Sequence, residues 1–300
     1  MKTHTKSYLL LLPIVALLIS ACGRPEEGSG RSVIQNKGSD TLVNVAQAWA
    51  EAYQTVNPNV AVAVTGGGSG TGIAALMNGT VDIANASREM KESEMKELTA
   101  AGHAPKEHVV GYDALAIFLH KDNPIQEISL QQLKAIYGDG GTIEKWSQLG
   151  VKVPGCKSDE IIRVSRQNNS GTYAYFREAV LDESDFKLGS RDMHGSKDVV
   201  DLVMNTACAI GYSGLAYATD EVHMPCVIST PDSACVAPTI DSALDGTYPI
   251  ARPLFMYTAG EPTGATKDYL DWILSNDGQC IILGKGYAPA TPPTCSTTAM

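Results

Sequence analysis

The chain has 300 residues, with 33 acidic against 23 basic side chains and a formal net charge of −10. That balance excludes a nucleic-acid binder working through a basic stripe, because no cation array is present to displace phosphate counterions. It does not exclude a small anion, which backbone N–H groups and one arginine can hold locally whatever the net charge.

Lys2 and Lys6 form a basic start, Leu9 to Ile19 is apolar apart from Pro13, and Ser20-Ala21-Cys22 follows. A basic start, a short apolar stretch and small residues predict a signal peptide over 1–21. The apolar run is shorter than the ~20 residues a membrane span needs. Leu18 to Gly23 resembles the bacterial lipobox. That resemblance implies cleavage before Cys22, lipid on its sulfur, and an extracytoplasmic, membrane-anchored protein at a periplasm or cell surface. Residues 22–31, rich in Gly, Ser, Pro and Glu, predict a flexible tether. Losing Lys2 and Lys6 leaves 21 basic residues against 33 acidic ones, a net charge of −12.

From Ser32 the chain alternates strand and helix patterns. Ser32–Gln35 predicts a strand. Leu42, Val45, Ala46, Trp49, Tyr53 and Val56 follow helical spacing, ended by Asn57-Pro58. Strands are predicted over Val60–Thr65, Val81–Ala84, Val109–Leu119, Ile161–Val164, Ala209–Tyr212 and Pro253–Tyr257. Helices are predicted over Ile73–Met77, Met90–Ala101, Leu130–Tyr137, Thr172–Leu181 and Lys267–Ser275, the last stopped by Asn276-Asp277-Gly278. Ala288 to Met300 predicts irregular chain. The alternation predicts an α/β architecture with largely parallel sheets.

Cys156, Cys208, Cys226, Cys235, Cys280 and Cys295 are an even set in an exported chain and predict disulfides. Cys226 and Cys235 flank Pro231-Asp232-Ser233 and are spaced to close a hairpin. The remaining choice among fifteen pairings stays open. There is no Cys-x-x-Cys pair, and the six histidines (4, 103, 108, 120, 194 and 223) show no metal-ligand spacing, so no metal is expected.

Three segments share one design, in which a strand runs into small or hydroxylated residues and then a helix. They are Lys37-Gly38-Ser39-Asp40-Thr41-Leu42, Gly66 to Gly72, and Arg166-Gln167-Asn168-Asn169-Ser170-Gly171-Thr172. The first N–H groups of a helix lack intrahelical partners and carry partial positive charge. Hydroxyls add donors that rotate to suit a ligand, and an arginine fork matches two oxygens of a tetrahedral anion. One such turn is more often a plain N-cap, whereas three with an arginine point to oxyanion binding. The glycine cluster lacks the Gly-Lys-[Ser/Thr] ending of a nucleotide loop. Ser170 has no base and orienting acid beside it in sequence, so no catalytic residue and no enzyme activity are expected.

Together these segments resemble the phosphate-binding proteins of Pst-type ABC importers, over most of residues 34–290. Gly38-Ser39-Asp40-Thr41 before a helix with Trp49 is similar to the family's first phosphate loop. Gly66 to Gly72, followed by Gly79-Thr80-Val81-Asp82-Ile83, is similar to the second. Arg166 to Thr172 matches Arg-x-[Asp/Asn]-x-Ser-Gly-Thr, the most specific signature. Leu133 to Gly138 with Trp146, Ile210-Gly211-Tyr212, and Ser275 to Gln279 with Gly286 to Pro289 support it.

The resemblance implies a two-lobed Venus-flytrap α/β fold, each lobe a mixed or parallel sheet flanked by helices. Lobe 1 would be discontinuous, residues 32–112 plus 249–300, and lobe 2 would be 113–248. The phosphate contacts carried onto this chain are Ser39, Asp40, Thr41, Ser69, Arg166, Ser170, Gly171 and Thr172. Gly70, Ser87 and Arg88 are further candidates, Arg88 either as a second cationic ligand or as a bridge between lobes. The implied partners are inorganic phosphate and a membrane permease, with no cofactor, for a monomer. In one departure, many family members carry an aspartate shortly after the Val-Asp-Ile strand, accepting the proton of hydrogen phosphate. Here the segment reads Asn85-Ala86-Ser87-Arg88. Asp40 is the carboxylate placed to take over that role. Sulfate, molybdate or tungstate as ligand, or a phosphate sensor or surface protein without transport, are the alternative readings.

Overall fold

The computed structural model describes residues 31–295. The signal peptide over 1–21, Cys22 and all but the last residue of the tether lie outside the described residues, as do residues 296–300.

Three short βα steps come first: β1 (Ser32–Gly38), α1 (Val43–Val56), β2 (Val60–Thr65), α2 (Ser69–Met77), β3 (Ile83–Ala86) and α3 (Glu92–Ala100). The long β4 (Pro105–His120) leads to β5 (Glu127–Ser129) and α4 (Leu130–Tyr137). Next come β6 (Ile162–Arg166), α5 (Gly171–Ala179), β7 (Arg191–Met193), α6 (Ser196–Met204) and β8 (Ala209–Gly214). The chain closes with β9 (Val222–His223), β10 (Cys226–Ile228), α7 (Ile240–Leu244), β11 (Ala251–Ala259), α8 (Gly264–Ile273), α9 (Asn276–Gly284) and β12 (Ala288–Pro289).

The main path of the sheet runs β2-β1-β3-β11-β4-β8-β6-β7. β1 pairs in parallel with β2 and β3, and β6 pairs in parallel with β8 and β7. The pairings β3–β11, β11–β4 and β4–β8 are antiparallel. The sheet is therefore mixed, where helix–strand alternation predicts mainly parallel pairing; two long strands run against their neighbours in its middle.

β4 joins two halves of this sheet. Its first part pairs with β11 as far as Ala114, and from Leu115 onward it pairs with β8. Each half has its own cores. Ile34, Trp49, Ile83, Leu254 and Tyr269 pack on one face of the first half, and Ile73, Leu76, Phe255 and Tyr257 on the other. In the second half Leu115, Ile117 and Leu119 point into the cluster with Leu133, Trp146, Phe176 and Tyr212. Ala116 and Phe118 point the opposite way, toward Val164, Val199 and Val203. Successive strand residues alternate faces, and both faces are covered by helices, so this stretch reads as one continuous apolar run. Tyr173, Tyr175 and Phe176 pack as helix α5 predicts, with Phe176 stacked on Tyr212 at 3.9 Å.

The predicted boundaries shift by a few residues at most elements. Helices α6 and α7 and the short strands β5, β7, β9 and β10 have no predicted counterpart, and two predicted segments take another form. Asn276-Asp277-Gly278, predicted as a helix stop, forms the first turn of α9, with Ser275 at the N-cap and Asp277 in the first turn. Ala288–Pro289, predicted irregular, pairs with Tyr112 and Gly111 of β4. Trp49 explains the first. It is fully buried on α1 and donates Nε1–H to the carbonyl of Gly278 at 2.8 Å. This bond docks α9 on α1. Trp49→Phe is expected to lower folding stability by about 2 kcal/mol, from the lost bond and lost volume. Urea unfolding checks it, as a lower midpoint at unchanged slope.

All six cysteines of the described chain are paired, Cys156–Cys208, Cys226–Cys235 and Cys280–Cys295. The second closes the expected hairpin, where Val227 bridges Val236 antiparallel. Among the described residues no helix is long and apolar enough to cross a membrane.

Candidate anion-binding site

The carboxyl ends of parallel strands β1, β2 and β3 deliver three segments to one place. These are Ser39-Asp40-Thr41, Gly66-Gly67-Gly68 before α2, and Ser87-Arg88. From the other half of the sheet, β6 ends in Arg166, and its turn opens α5 at Gly171. Open α/β sheets present ligand crevices at the carboxyl ends of their strands.

The structure brings the predicted hydroxyls together. Ser39, Thr41, Ser69, Ser87, Ser170 and Thr172 are all 3% exposed or less. Ser39 Oγ donates to Ser87 Oγ at 2.8 Å, and Ser69 Oγ lies 3.4 Å from Ser87 Oγ. Ser87 N–H donates to Ser69 Oγ at 3.0 Å. Across the two halves, Thr41 Oγ1 is 3.1 Å from Thr172 Oγ1. Ser170 is also an N-cap, accepting Thr172 N–H at 3.1 Å, which leaves its hydroxyl hydrogen free to be donated elsewhere. Among the described residues no protein acceptor meets the N–H groups of Thr41, Ser69 or Gly171, the last two being first residues of helices, where such donors are unpaired by construction. The carbonyls of the first turn, which would repel an anion, are occupied instead. Tyr217 donates its hydroxyl to Asp40 O at 2.6 Å, and Tyr287 donates to Thr41 O. Burial pushes the Tyr217 phenol up to about 12, so it stays a donor at neutral pH.

Arg166 is 1% exposed. Nη1 donates to Ser196 Oγ at 2.9 Å, and Nη2 donates to His194 O at 2.8 Å and to Asp40 Oδ2 at 3.0 Å. Its Nε is buried with no partner among the described residues. Burial depresses the guanidinium pKa and Asp40 opposes that shift. Asp40 is thus a stitch between three segments: its Oδ1 accepts Gly67 N–H at 2.8 Å and its Oδ2 accepts Arg166. A carboxylate offers about four lone-pair sites, so both oxygens keep acceptor capacity.

Backbone clamps close the two halves on each other. Gly70 N–H donates to Asn169 O at 3.0 Å, and Asn169 Nδ2 donates to Gly67 O at 3.0 Å. Gly68 has φ +91, and a Cβ there would lie 2.6 Å from Asn169 O, so this turn requires glycine twice over.

Arg88 sits apart from this set of bonds. Its guanidinium forks onto Glu94 at 2.8 and 2.7 Å and donates to Glu89 O at 2.7 Å, all on the first half of the sheet. Burial raises the Glu94 pKa, but the bond and charge of Arg88 outweigh it and hold the carboxyl below its ordinary value. The described hydrogen bonds of Arg88 make it neither a bridge between halves nor a free cation. Gly70 lies beside it, with a would-be Cβ 3.8 Å from Arg88 Nη2.

Sequence reading passed over Asn169, Ser196 and the pair Asp113–Arg252. The pair had a signal: one acid and one base, each the lone charge in a mostly apolar stretch, 109–119 and 251–257. Charges are almost never fully buried unless paired. Asp113 and Arg252 have side chains 0% and 1% exposed and lie 2.8 Å apart.

An α/β chain with helix starts, six buried hydroxyls and an arginine converging between two halves of a sheet defines a class, the extracytoplasmic-type binding proteins. The matching family is the PBP superfamily domain, over residues 25–277. The phosphate-binding protein PstS of Pseudomonas aeruginosa is 34% identical over 287 residues, covering 92% of this chain and 88% of that protein. PstS of Bacillus subtilis (strain 168) is 30% identical over 306 residues, covering 97% and 96%. Among solved structures, a Clostridium perfringens protein assigned to phosphate ABC transport, with phosphate bound, aligns with a TM-score of 0.76 at 30% identity. It covers 87% of this chain and 100% of that one. The chain belongs to the PstS family of phosphate-binding proteins within the PBP superfamily.

Proposed function

We propose that this chain is an extracytoplasmic lipoprotein that captures inorganic phosphate between the two halves of its sheet and delivers it, without chemistry, to an ABC-type importer. The observation that carries the reading is the convergence of three strand-to-helix turns and Arg166 on one buried cluster of donors. The two relatives named above are phosphate-binding proteins, and the Clostridium perfringens structure holds phosphate. The lobes of this reading are 32–112 plus 249–300 and 113–248. The change of β4 partner after Ala114 supports that division. Ser39, Asp40, Thr41, Ser69 and Ser87 bind from the first lobe and Arg166, Ser170, Gly171 and Thr172 from the second. The ligand favours closure because its contacts are complete only when both lobes meet. Asp40 is the acceptor for the proton of hydrogen phosphate. Sulfate has no proton to offer and sets acceptor against acceptor there. Lipid on Cys22 holds the protein, as a monomer, at the membrane beside its permease.

Calorimetric titration with phosphate, sulfate, molybdate and tungstate tests this. One phosphate per chain is expected, bound at least tenfold more tightly than the other anions. Phosphate at a hundredfold excess over Kd is expected to add about 2.7 kcal/mol to folding stability. Tighter binding of sulfate, molybdate or tungstate assigns the site to that oxyanion, and no binding of any of them removes the transport reading.

A further inference from the structure

Arg252 lies where β11 re-enters the first half of the sheet, and its guanidinium reaches both halves. Nε and Nη2 donate to Asp113 Oδ2 at 3.2 and 2.8 Å, and Nη1 donates to the carbonyl of Ser87 at 3.0 Å. Nη2, with two hydrogens for three acceptors, also lies 3.3 Å from Thr41 Oγ1 and 3.1 Å from Thr172 Oγ1, so one hydrogen is shared between the threonines. The charge centre stands 5.5 Å from the Tyr175 ring centroid, a distance at which the ring face attracts a cation. Asp113 in turn accepts Leu215 N–H at 3.2 Å. Burial pushes the Asp113 carboxyl up, and the charge and hydrogen bonds of Arg252 pull against it.

The two threonines are candidate ligand residues from opposite halves of the sheet. A hydroxyl oxygen that accepts from an arginine turns its own hydrogen away from that arginine. Thr41 and Thr172 are 3.1 Å apart, so one of the two hydroxyl hydrogens can be spent between them. The other is left to point at a ligand. Without the arginine, either hydroxyl can rotate to accept instead. We propose that Arg252 is a positioning residue that fixes the Thr41–Thr172 hydroxyl pair so that one of the two donates toward the anion. It thereby favours the dianion, hydrogen phosphate, over the more protonated monoanion. The proposal rests on the phosphate reading above.

The same guanidinium holds Ser87 O, one residue from the segment that ends β3, so it also locks the Ser87 hydroxyl against Ser69 and Ser39. Its bonds to Thr41 and to Thr172 exist together only while the two halves are in contact. Arg252 therefore senses closure from beneath the site.

Three proteins test this: wild type, Arg252→Lys, and the double variant Arg252→Met with Asp113→Leu. The double variant removes both buried charges at once, a replacement that folds are often able to accept. Arg252→Lys keeps the charge and loses the fork. Phosphate affinity is measured by calorimetry at pH 5.5 and pH 8.5, where monoanion and dianion dominate respectively, with circular dichroism as the folding control. The wild type is expected to bind the dianion more tightly. Whichever variants fold are expected to bind phosphate at least tenfold more weakly at pH 8.5. Their Kd ratio between the two pH values is expected to be at least threefold closer to one. A folded variant within twofold of wild type at both pH values overturns the proposal. So does a uniform loss of affinity with an unchanged ratio, which makes Arg252 only a brace. A wild type that binds no phosphate overturns instead the reading on which the proposal rests.

Discussion

Arg166→Met is expected to weaken phosphate binding at least a thousandfold, about 4 kcal/mol. The side chain is 1% exposed and is held by Ser196 Oγ, His194 O and Asp40 Oδ2, so its direction is fixed before any ligand arrives. Preorganised, charge-assisted bonds of this kind are roughly twice as strong as neutral ones. The buried Nε adds a donor that no atom of the described residues uses. Removing the guanidinium also unmasks Asp40, only 12% exposed, beside the place where the anion is to sit. The site then loses an attraction and gains a repulsion. Arg166→Lys is expected to recover only a small part of the loss, since an ammonium cannot reach Ser196, His194, Asp40 and a ligand at once. Calorimetric titration decides the matter. A methionine variant that keeps phosphate affinity within tenfold would remove Arg166 from the site.

How legible this molecule is in its sequence depends on how local each cause is. The period of Val45, Ala46, Trp49 and Tyr53 is a local cause, and α1 buries those four residues. The turns at Ser39, Ser69 and Ser170 were legible for the same reason: hydroxyls, glycines and a helix start sit within a few residues of one another. What could not be read is pairing at a distance. Asp40 and Arg166 are 126 residues apart in sequence, and Asp113 and Arg252 are 139 apart. No spacing rule connects them. Only the tertiary arrangement does so, and for Asp113 and Arg252 it is the pairing of β4 with β11 that sets them opposite each other. Asn276-Asp277-Gly278 shows the remaining ambiguity. The same three residues serve a turn or a helix start, and what decides is Trp49, 229 positions from its acceptor at Gly278. Arg88 is the opposite case. Its sequence position beside Ser87 made it a candidate ligand, while the nearby Glu94 takes both of its terminal nitrogens.

Gly171→Ala is expected to cost phosphate affinity a hundredfold to a thousandfold while leaving the unliganded protein as stable as before. A Cβ at this position would lie 2.2 Å from Ser69 Oγ and 2.6 Å from Ser87 Oγ. Neither hydroxyl can retreat, because Ser69 Oγ accepts Ser87 N–H and Ser87 Oγ accepts Ser39, and both serines are fully buried. The local backbone raises no objection. Gly171 opens α5 without a positive φ, and alanine is a better helix former than glycine by about 1 kcal/mol. The methyl group therefore acts on one equilibrium alone, the approach of α5 to the turns of the other half. Overpacking a contact that can separate is relieved by separation, so the variant stays open. Small-angle scattering supplies the second measurement. Wild-type protein is expected to contract on adding phosphate, and Gly171→Ala is expected to keep its open dimensions at any phosphate concentration short of saturation. Binding within fivefold of wild type, with the same contraction, would show that the two halves do not meet at Gly171 around the ligand. Closure as the source of affinity would then have to be given up, even if Arg166 still held the anion.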